Sequence, residues 1–250
     1  MEIFSQFLLR LTFGLAVGMA ITSPRKVSSG YFRNHLYVTL GLSTLAALVL
    51  AQQSSALAGG LAGVAAVLSF MGAACWLYEA KRVGNAALWL VALASLTAAV
   101  LSQPISPMTD APEILRSVAL ATSGLVLGVT TAAMLLGHWY LNAPGMELVP
   151  LRRLIAIAAL AVAVQALVSG VGLAAEASYV THVSLTWLLF VVLRWSFGIV
   201  GVMLLLWMAR ETLKVPNTQS ATGILYVAVI GVFVGELTSA LLSAESAFPL

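Results

Sequence analysis

The chain of 250 residues is 61% hydrophobic and only 8% charged, with a mean hydropathy of +1.02. Soluble domains carry roughly a quarter charged residues, so this composition excludes a globular protein with a water-exposed surface. The formal net charge of +3 does not indicate nucleic-acid binding, because the basic residues lie in short segments between apolar runs. A single cysteine, Cys75, excludes an internal disulfide framework and a multi-cysteine metal site.

Eight apolar runs follow one another along the chain. A bilayer core requires about 20 mainly apolar residues per helix, and polar, Pro-containing and Gly-containing breaks separate the runs. The sequence therefore predicts an all-α polytopic bundle of eight membrane helices, in a single domain covering residues 1–250. The predicted helices lie near residues 3–22, 34–51, 56–78, 86–102, 115–141, 154–173, 185–208 and 220–242.

The placement of Lys and Arg supports this division and predicts an orientation. Short cytoplasmic loops retain basic residues, and the odd-numbered loops hold nine of the twelve in this chain. We therefore expect a multi-pass protein of the bacterial cytoplasmic (inner) membrane with both termini on the non-cytoplasmic side. The nine residues are Arg25, Lys26, Arg33, Lys81, Arg82, Arg152, Arg153, Arg210 and Lys214.

Pairs of glycines four residues apart occur within several predicted helices. Small residues at this spacing let membrane helices approach closely, so the pattern favours a compact bundle without indicating any chemistry. The pairs are Gly14 and Gly18, Gly59 and Gly63, Gly124 and Gly128, and Gly231 and Gly235.

Three charged residues lie inside predicted helices: Arg10, Arg194 and Glu236. A charge at the membrane centre costs roughly 2.5–3.5 kcal/mol on insertion scales, so a partner is expected. Folding the last two helices into a hairpin places Arg194 and Glu236 at equal depth in the outer half, with Thr238 and Ser239 available as hydrogen-bond partners. Such a cluster fits a structural ion pair, a proton or ion relay, or the capture of an anionic group.

A second polar group is predicted at the cytoplasmic edge. His35 opens the second helix, and His138, Trp139 and Tyr140 end the fifth. Two histidines at similar depth are compatible with axial ligation of haem b or with a hydrogen bond to a quinone. The alternative is an interfacial belt of aromatic residues that anchors the helices at head-group level.

Sequence signatures of catalysis are missing from the chain. It contains no phosphate-binding Gly-rich loop with Lys, no His-Glu-x-x-His motif and no Gly-x-Ser-x-Gly elbow. The connections between helices are also too short to form a soluble domain. Catalysis by the chain alone is therefore not expected, and any soluble redox machinery would have to belong to other subunits.

Three functions remain compatible with these patterns. The first is an integral membrane subunit of a larger complex, such as a respiratory electron-transfer complex, serving as an anchor with a quinone or proton site. The second is a transporter or channel for a small solute that uses Arg10, Arg194 and Glu236. The third is a scaffold without a ligand. Transporters often contain broken helices, and the absence of proline inside the predicted helices favours the first interpretation.

Overall fold

The computed structural model describes residues 1–53, 55–103, 111–143, 145–178, 184–215 and 217–250. Helices are the regular elements throughout these residues, and eight of them are long and apolar enough to cross a membrane. The predicted number of helices is thus confirmed. They are α1 (Glu2–Ala20), α2 (Ser29–Gln52), α3 (Ala56–Leu77), α4 (Lys81–Leu101), α5 (Glu113–Asn142), α6 (Val149–Glu176), α7 (Leu185–Thr212) and α8 (Thr218–Ala244).

Several helices begin before the apolar runs that predicted them. The second begins at Ser29 rather than near residue 34, the fourth at Lys81 rather than near residue 86, and the sixth at Val149 rather than near residue 154. Each extension contains Arg or Lys. These side chains can lie along an apolar helix and still reach water with their charged ends. The helices can therefore extend beyond the apolar runs.

The burial pattern differs from that of a soluble protein on the outer surface. Large aliphatic side chains such as Leu57 (67% exposed) and Leu167 (71%) cover the outside. Hydroxyl groups such as those of Ser43, Ser69 and Ser95 are buried between helices. Because exposed apolar surface of this extent is stable only in an apolar solvent, the eight apolar helices indicate a multi-pass membrane protein.

Helices α1 and α5 form the centre of the bundle and join its two halves. α1 packs against α2 and α4, while α5 packs against α6 and α8. The α1–α5 contact is close because glycine faces glycine: a Cβ atom added to Gly14 would overlap Gly124 and Gly128, and one added to Gly18 would lie 2.6 Å from Ala132 Cβ. This contact seals the centre of the molecule.

The four glycine pairs differ in their role. Gly235 packs against Gly198 of α7, where an added Cβ would come within 2.6 Å of backbone, and Gly231 contacts Val202. In contrast, a Cβ atom on Gly63 would meet nothing within 4 Å. An added Cβ atom on Gly59 would lie 3.6 Å from Leu50 Cβ, in ordinary contact with α2. Three pairs thus pack closely and the pair in α3 does so only loosely, because spacing alone does not show which face of a helix has a neighbour.

The odd-numbered loops meet at one end of the bundle, which we call the basic end. Lys26 Nζ lies 2.7 Å from Glu147 Oε2, and Ser29 Oγ donates a 2.8 Å hydrogen bond to Glu79 Oε2. Arg152 Nη2 donates a 2.5 Å hydrogen bond to the Leu213 carbonyl. These contacts link the first loop to the third and fifth, and the fifth to the seventh. The nine basic residues in those loops therefore lie at the same end.

The middle of α7 departs from regular α-helix. Residues Leu185–Leu193 and Val202–Thr212 are α-helical, and Arg194–Gly201 between them form a π-helix. The missing prolines gave no indication of this departure. π-Helical segments can form without proline and occur frequently at functional sites. This one begins at the buried arginine.

Candidate functional site

The predicted ion pair between Arg194 and Glu236 is present. Arg194 Nη1 donates to Glu236 Oε1 at 2.8 Å, and both side chains are only 2% exposed. The close approach of Gly198 and Gly235 brings α7 and α8 together beside the pair. Because neither helix carries a Cβ atom at that point, the guanidinium and the carboxylate can meet inside the bundle.

Two further residues extend the pair into a chain of polar contacts. Ser123 Oγ of α5 donates a 2.5 Å hydrogen bond to Glu236 Oε2. Arg10 Nη1 of α1 approaches the same Ser123 oxygen at 3.5 Å. The structure thus brings Arg10, Arg194 and Glu236 together, as the sequence predicted, with Ser123 as the link between them.

The expected hydrogen-bond partners of Glu236 were wrong, however. Thr238 Oγ1 donates to the Val234 carbonyl at 2.7 Å, and Ser239 Oγ donates to the Leu250 carbonyl. Ser123 takes their place because α5, rather than α8 itself, faces the free oxygen of the carboxylate. No pattern in the sequence indicates this contact, since Ser123 is one of many hydroxyl residues on apolar helices.

The cluster carries more positive than negative charge. Two guanidinium groups, Arg10 and Arg194, are present with one carboxylate, Glu236. Arg10 Nε and Arg194 Nε and Nη2 are buried and have no hydrogen-bond partner among the residues that the structure describes. Arg10 is partly buried and lines open space. A cluster with a surplus cation and unpaired donors attracts an anion there, since unpaired charge away from bulk water is costly.

A cavity of about 730 Å³ begins at Arg10 and extends to the end of the bundle opposite the basic end. We call this the cavity end. Gln53 and Gln103, which follow α2 and α4, contribute to its wall there, as does Glu2 at the start of α1. Polar side chains from three helices also line the cavity. They are Gln6 of α1, Arg116 and Ser123 of α5, and Gln165 and Ser169 of α6.

Residues 245–250 fold back over the cavity end and complete its wall. Glu176 Oε2 at the end of α6 accepts hydrogen bonds from the backbone N–H groups of Ala247 (2.9 Å) and Phe248 (3.0 Å). Pro249 packs against Gly172, where a Cβ atom would overlap its carbonyl. These contacts explain why the side chain of Glu176 is buried. The sequence alone did not assign a role to this acidic residue.

The histidine group at the basic end is held by contacts within the protein. His35 Nδ1 lies 2.6 Å from the Tyr31 carbonyl, and its ring is 6.3 Å from that of Trp139 between centroids. Trp139 Nε1 donates to Ser28 Oγ at 2.8 Å.

His138 and Tyr140 also have partners within the protein. His138 Nδ1 lies 3.2 Å from Tyr226 Oη, and Tyr140 Oη donates to the Glu147 carbonyl.

These contacts place His35 and the His138–Trp139–Tyr140 segment at the same end of the bundle, as expected. Neither histidine nor either aromatic residue lines the 730 Å³ cavity. No cluster of three or more metal-ligating side chains occurs among the described residues. Binding of haem b or a quinone by this group stays a prediction, whereas the polar cavity offers a site of defined charge.

The arrangement at the cavity suits the binding of a polar ligand. Its deep end presents guanidinium, amide and hydroxyl groups, which can hold such a ligand through hydrogen bonds. A volume of this size matches the usual range for small-molecule sites, roughly 300–1,000 Å³. In comparisons with known proteins, no family model, no curated protein and no solved structure matches this chain, so its function has to be inferred from the site itself.

Proposed function

We propose that the protein is a membrane transporter for a small anionic solute, which it binds in the cavity through Arg10. The observation that carries this proposal is the surplus positive charge beside the cavity. Arg194 is neutralised by Glu236 at 2.8 Å, whereas the side-chain partner of Arg10 among the described residues is the neutral Ser123 hydroxyl at 3.5 Å. A solute anion would supply the missing charge.

Access from a single end supports transport rather than passive flow. From Arg10 towards the basic end, α1 and α5 are in contact at Gly14 and Gly18, and none of the described residues that line the cavity lies there. From Arg10 towards the cavity end, the space widens to about 730 Å³. Transport would require a second arrangement in which the contact opens towards the basic end. The π-helix Arg194–Gly201 of α7 is a natural place for that change.

The basic end would face the cytoplasm and the cavity would face outwards, following the rule that basic loops stay inside. We place the transporter ahead of the membrane-subunit interpretation because the cavity gives it a binding site. An anchor or scaffold needs no such space, and its buried charges would be expected to balance.

Thermal unfolding of the purified protein in detergent tests the binding step. Benzoate and inorganic phosphate are the anionic probes, and tetraethylammonium is the cationic one. Because a ligand of the folded state stabilises it, at least one anion should raise the unfolding temperature in a concentration-dependent way, and the cation should not. Arg10→Gln should abolish the shift. Arg33→Gln, which removes the same charge at the basic end, should retain it.

Uptake into proteoliposomes then tests transport. Radiolabelled anion that stabilised the protein should accumulate with saturable kinetics, and Arg10→Gln should reduce the uptake to that of empty vesicles. The proposal is wrong if no anion stabilises the wild-type protein, or if Arg10→Gln responds to anions as the wild type does. Binding without uptake would reject transport and leave an anion-binding membrane protein.

A further inference from the structure

Gln6 supplies a second binding group in the cavity. Its side chain is 4% exposed and lines the cavity one helical turn before Arg10. Gln6 Nε2 donates to the Ala99 carbonyl at 2.9 Å and to Ser102 Oγ at 3.0 Å. Since a carbonyl oxygen can only accept, the amide cannot be turned around without placing two acceptors against each other. The orientation of Gln6 is therefore fixed by α4.

This orientation leaves the Gln6 oxygen unpaired. Gln6 Oε1 is buried and has no hydrogen-bond partner within the described part of the chain, and the same holds for Arg10 Nε. Residues four apart on a helix have Cβ atoms about 5–6 Å from each other, on the same face. One unpaired acceptor and one unpaired donor of a charged group thus lie side by side on α1, and they do not bond to each other.

We propose that the solute is a hydroxycarboxylate monoanion whose acid group binds Arg10 and whose hydroxyl group donates to Gln6 Oε1. This inference rests on the proposed binding of an anion in the same cavity. A buried acceptor selects for a donor, because a ligand without one leaves the oxygen unpaired. An aminocarboxylate also carries an anion and a donor, but it is neutral overall.

Charge favours the hydroxyl group as the donor. The cluster of Arg10, Arg194 and Glu236 has a surplus of one positive charge, which a single negative charge balances. A protonated amine would add a cation next to Arg10. The remaining body of the solute would contact the apolar part of the wall, which includes Ala119, Leu120 and Ala240.

Three probes with the same carbon skeleton test this inference: mandelate carries a hydroxyl group, phenylglycine an amine, and phenylacetate neither. Their dissociation constants are measured by titration calorimetry on the full-length protein in detergent, with Arg10→Gln as the blank for partition into micelles. Mandelate should bind on the order of 10- to 100-fold more tightly than phenylacetate, the usual effect of a buried acceptor left unpaired. Phenylglycine should bind more weakly than mandelate.

Gln6→Met should bind mandelate and phenylacetate with similar affinity, and a monodisperse gel-filtration peak shows that the variant is folded. If Gln6→Met cannot be purified, the ratio measured on the wild-type protein alone decides. Equal binding of mandelate and phenylacetate would overturn the hydroxyl contact and leave the anion site intact. Tighter binding of phenylglycine would overturn the choice of a hydroxyl donor. Absence of binding by all three probes, with no response to other anions, would reject the proposed function as well.

Discussion

Arg194 and Glu236 form an ion pair that is shielded from water and, at 2.8 Å, is in direct contact. Removing one partner of a buried pair leaves an uncompensated charge, which typically costs about 3–5 kcal/mol, whereas replacing both with apolar residues is often tolerated. We therefore expect Glu236→Gln to lower the unfolding temperature strongly. The double variant Arg194→Met with Glu236→Leu should recover most of the loss.

Fluorescence-detected gel filtration after heating measures this effect, since unfolded membrane protein leaves the monodisperse peak. A Glu236→Gln protein as stable as the wild type would show that the pair does not hold α7 and α8 together. If the double variant is stable but no longer binds anions, the pair also shapes the cavity.

Packing between α1 and α5 should depend on the absence of side chains at the contact. A Cβ atom on Gly128 would overlap the backbone of Gly14 and Leu15. Backbone cannot move aside as a flexible side chain can, so Gly128→Ala should destabilise the protein by about 1–3 kcal/mol or more. Gly63→Ala is the matched control, because its Cβ atom would meet open space, and it should leave the unfolding temperature unchanged or slightly raised. Equal losses in both variants would contradict this packing.

The orientation of the protein in the membrane can be measured by labelling single introduced cysteines. In a Cys75→Ala background, Glu245→Cys should react with a membrane-impermeant maleimide on intact cells, because residue 245 lies at the cavity end. Arg82→Cys, which is also exposed but lies at the basic end, should react only after the membrane is disrupted. The opposite labelling pattern would place the cavity towards the cytoplasm and reverse the proposed direction of access.

Haem binding by the two histidines has a spectroscopic test. Trp139 directly follows His138 in the chain, and the centroid of its ring lies 6.3 Å from that of the His35 ring. The indole ring occupies space beside His35 and also donates a hydrogen bond to Ser28 Oγ. We therefore expect no Soret band in the protein purified with haem available during expression. A Soret band that disappears in both His35→Ala and His138→Ala would contradict this expectation and support the redox interpretation.

Much of the fold follows from composition along the chain. The eight helices were predictable because a bilayer sets the length of an apolar run, and the grouping of the basic residues followed from the alternation of the loops. The starts of α2, α4 and α6 were less predictable. Arg or Lys occurs within the first five residues of each helix, and hydropathy alone assigns such residues to a loop.

The charged site was predictable only in part. A buried charge requires a partner, and Arg194 and Glu236 lie at equal depth on consecutive helices, so their pairing could be deduced. Ser123 and Gln6 could not be identified in this way. Their contacts depend on the rotation of α1 and α5 about their own axes, and many hydroxyl and amide side chains elsewhere in the chain are equally polar.

The sequence by itself determined that this protein is a bundle of eight apolar helices with its basic loops at one end, because hydrophobicity and charge act residue by residue. The tertiary structure alone decided which polar groups share a cavity. It left Arg10 without a carboxylate partner of its own and Gln6 Oε1 without a donor, among the residues described. Those two features arise from the way in which α1, α4, α5 and α8 face one another, and no local property of the chain encodes that arrangement.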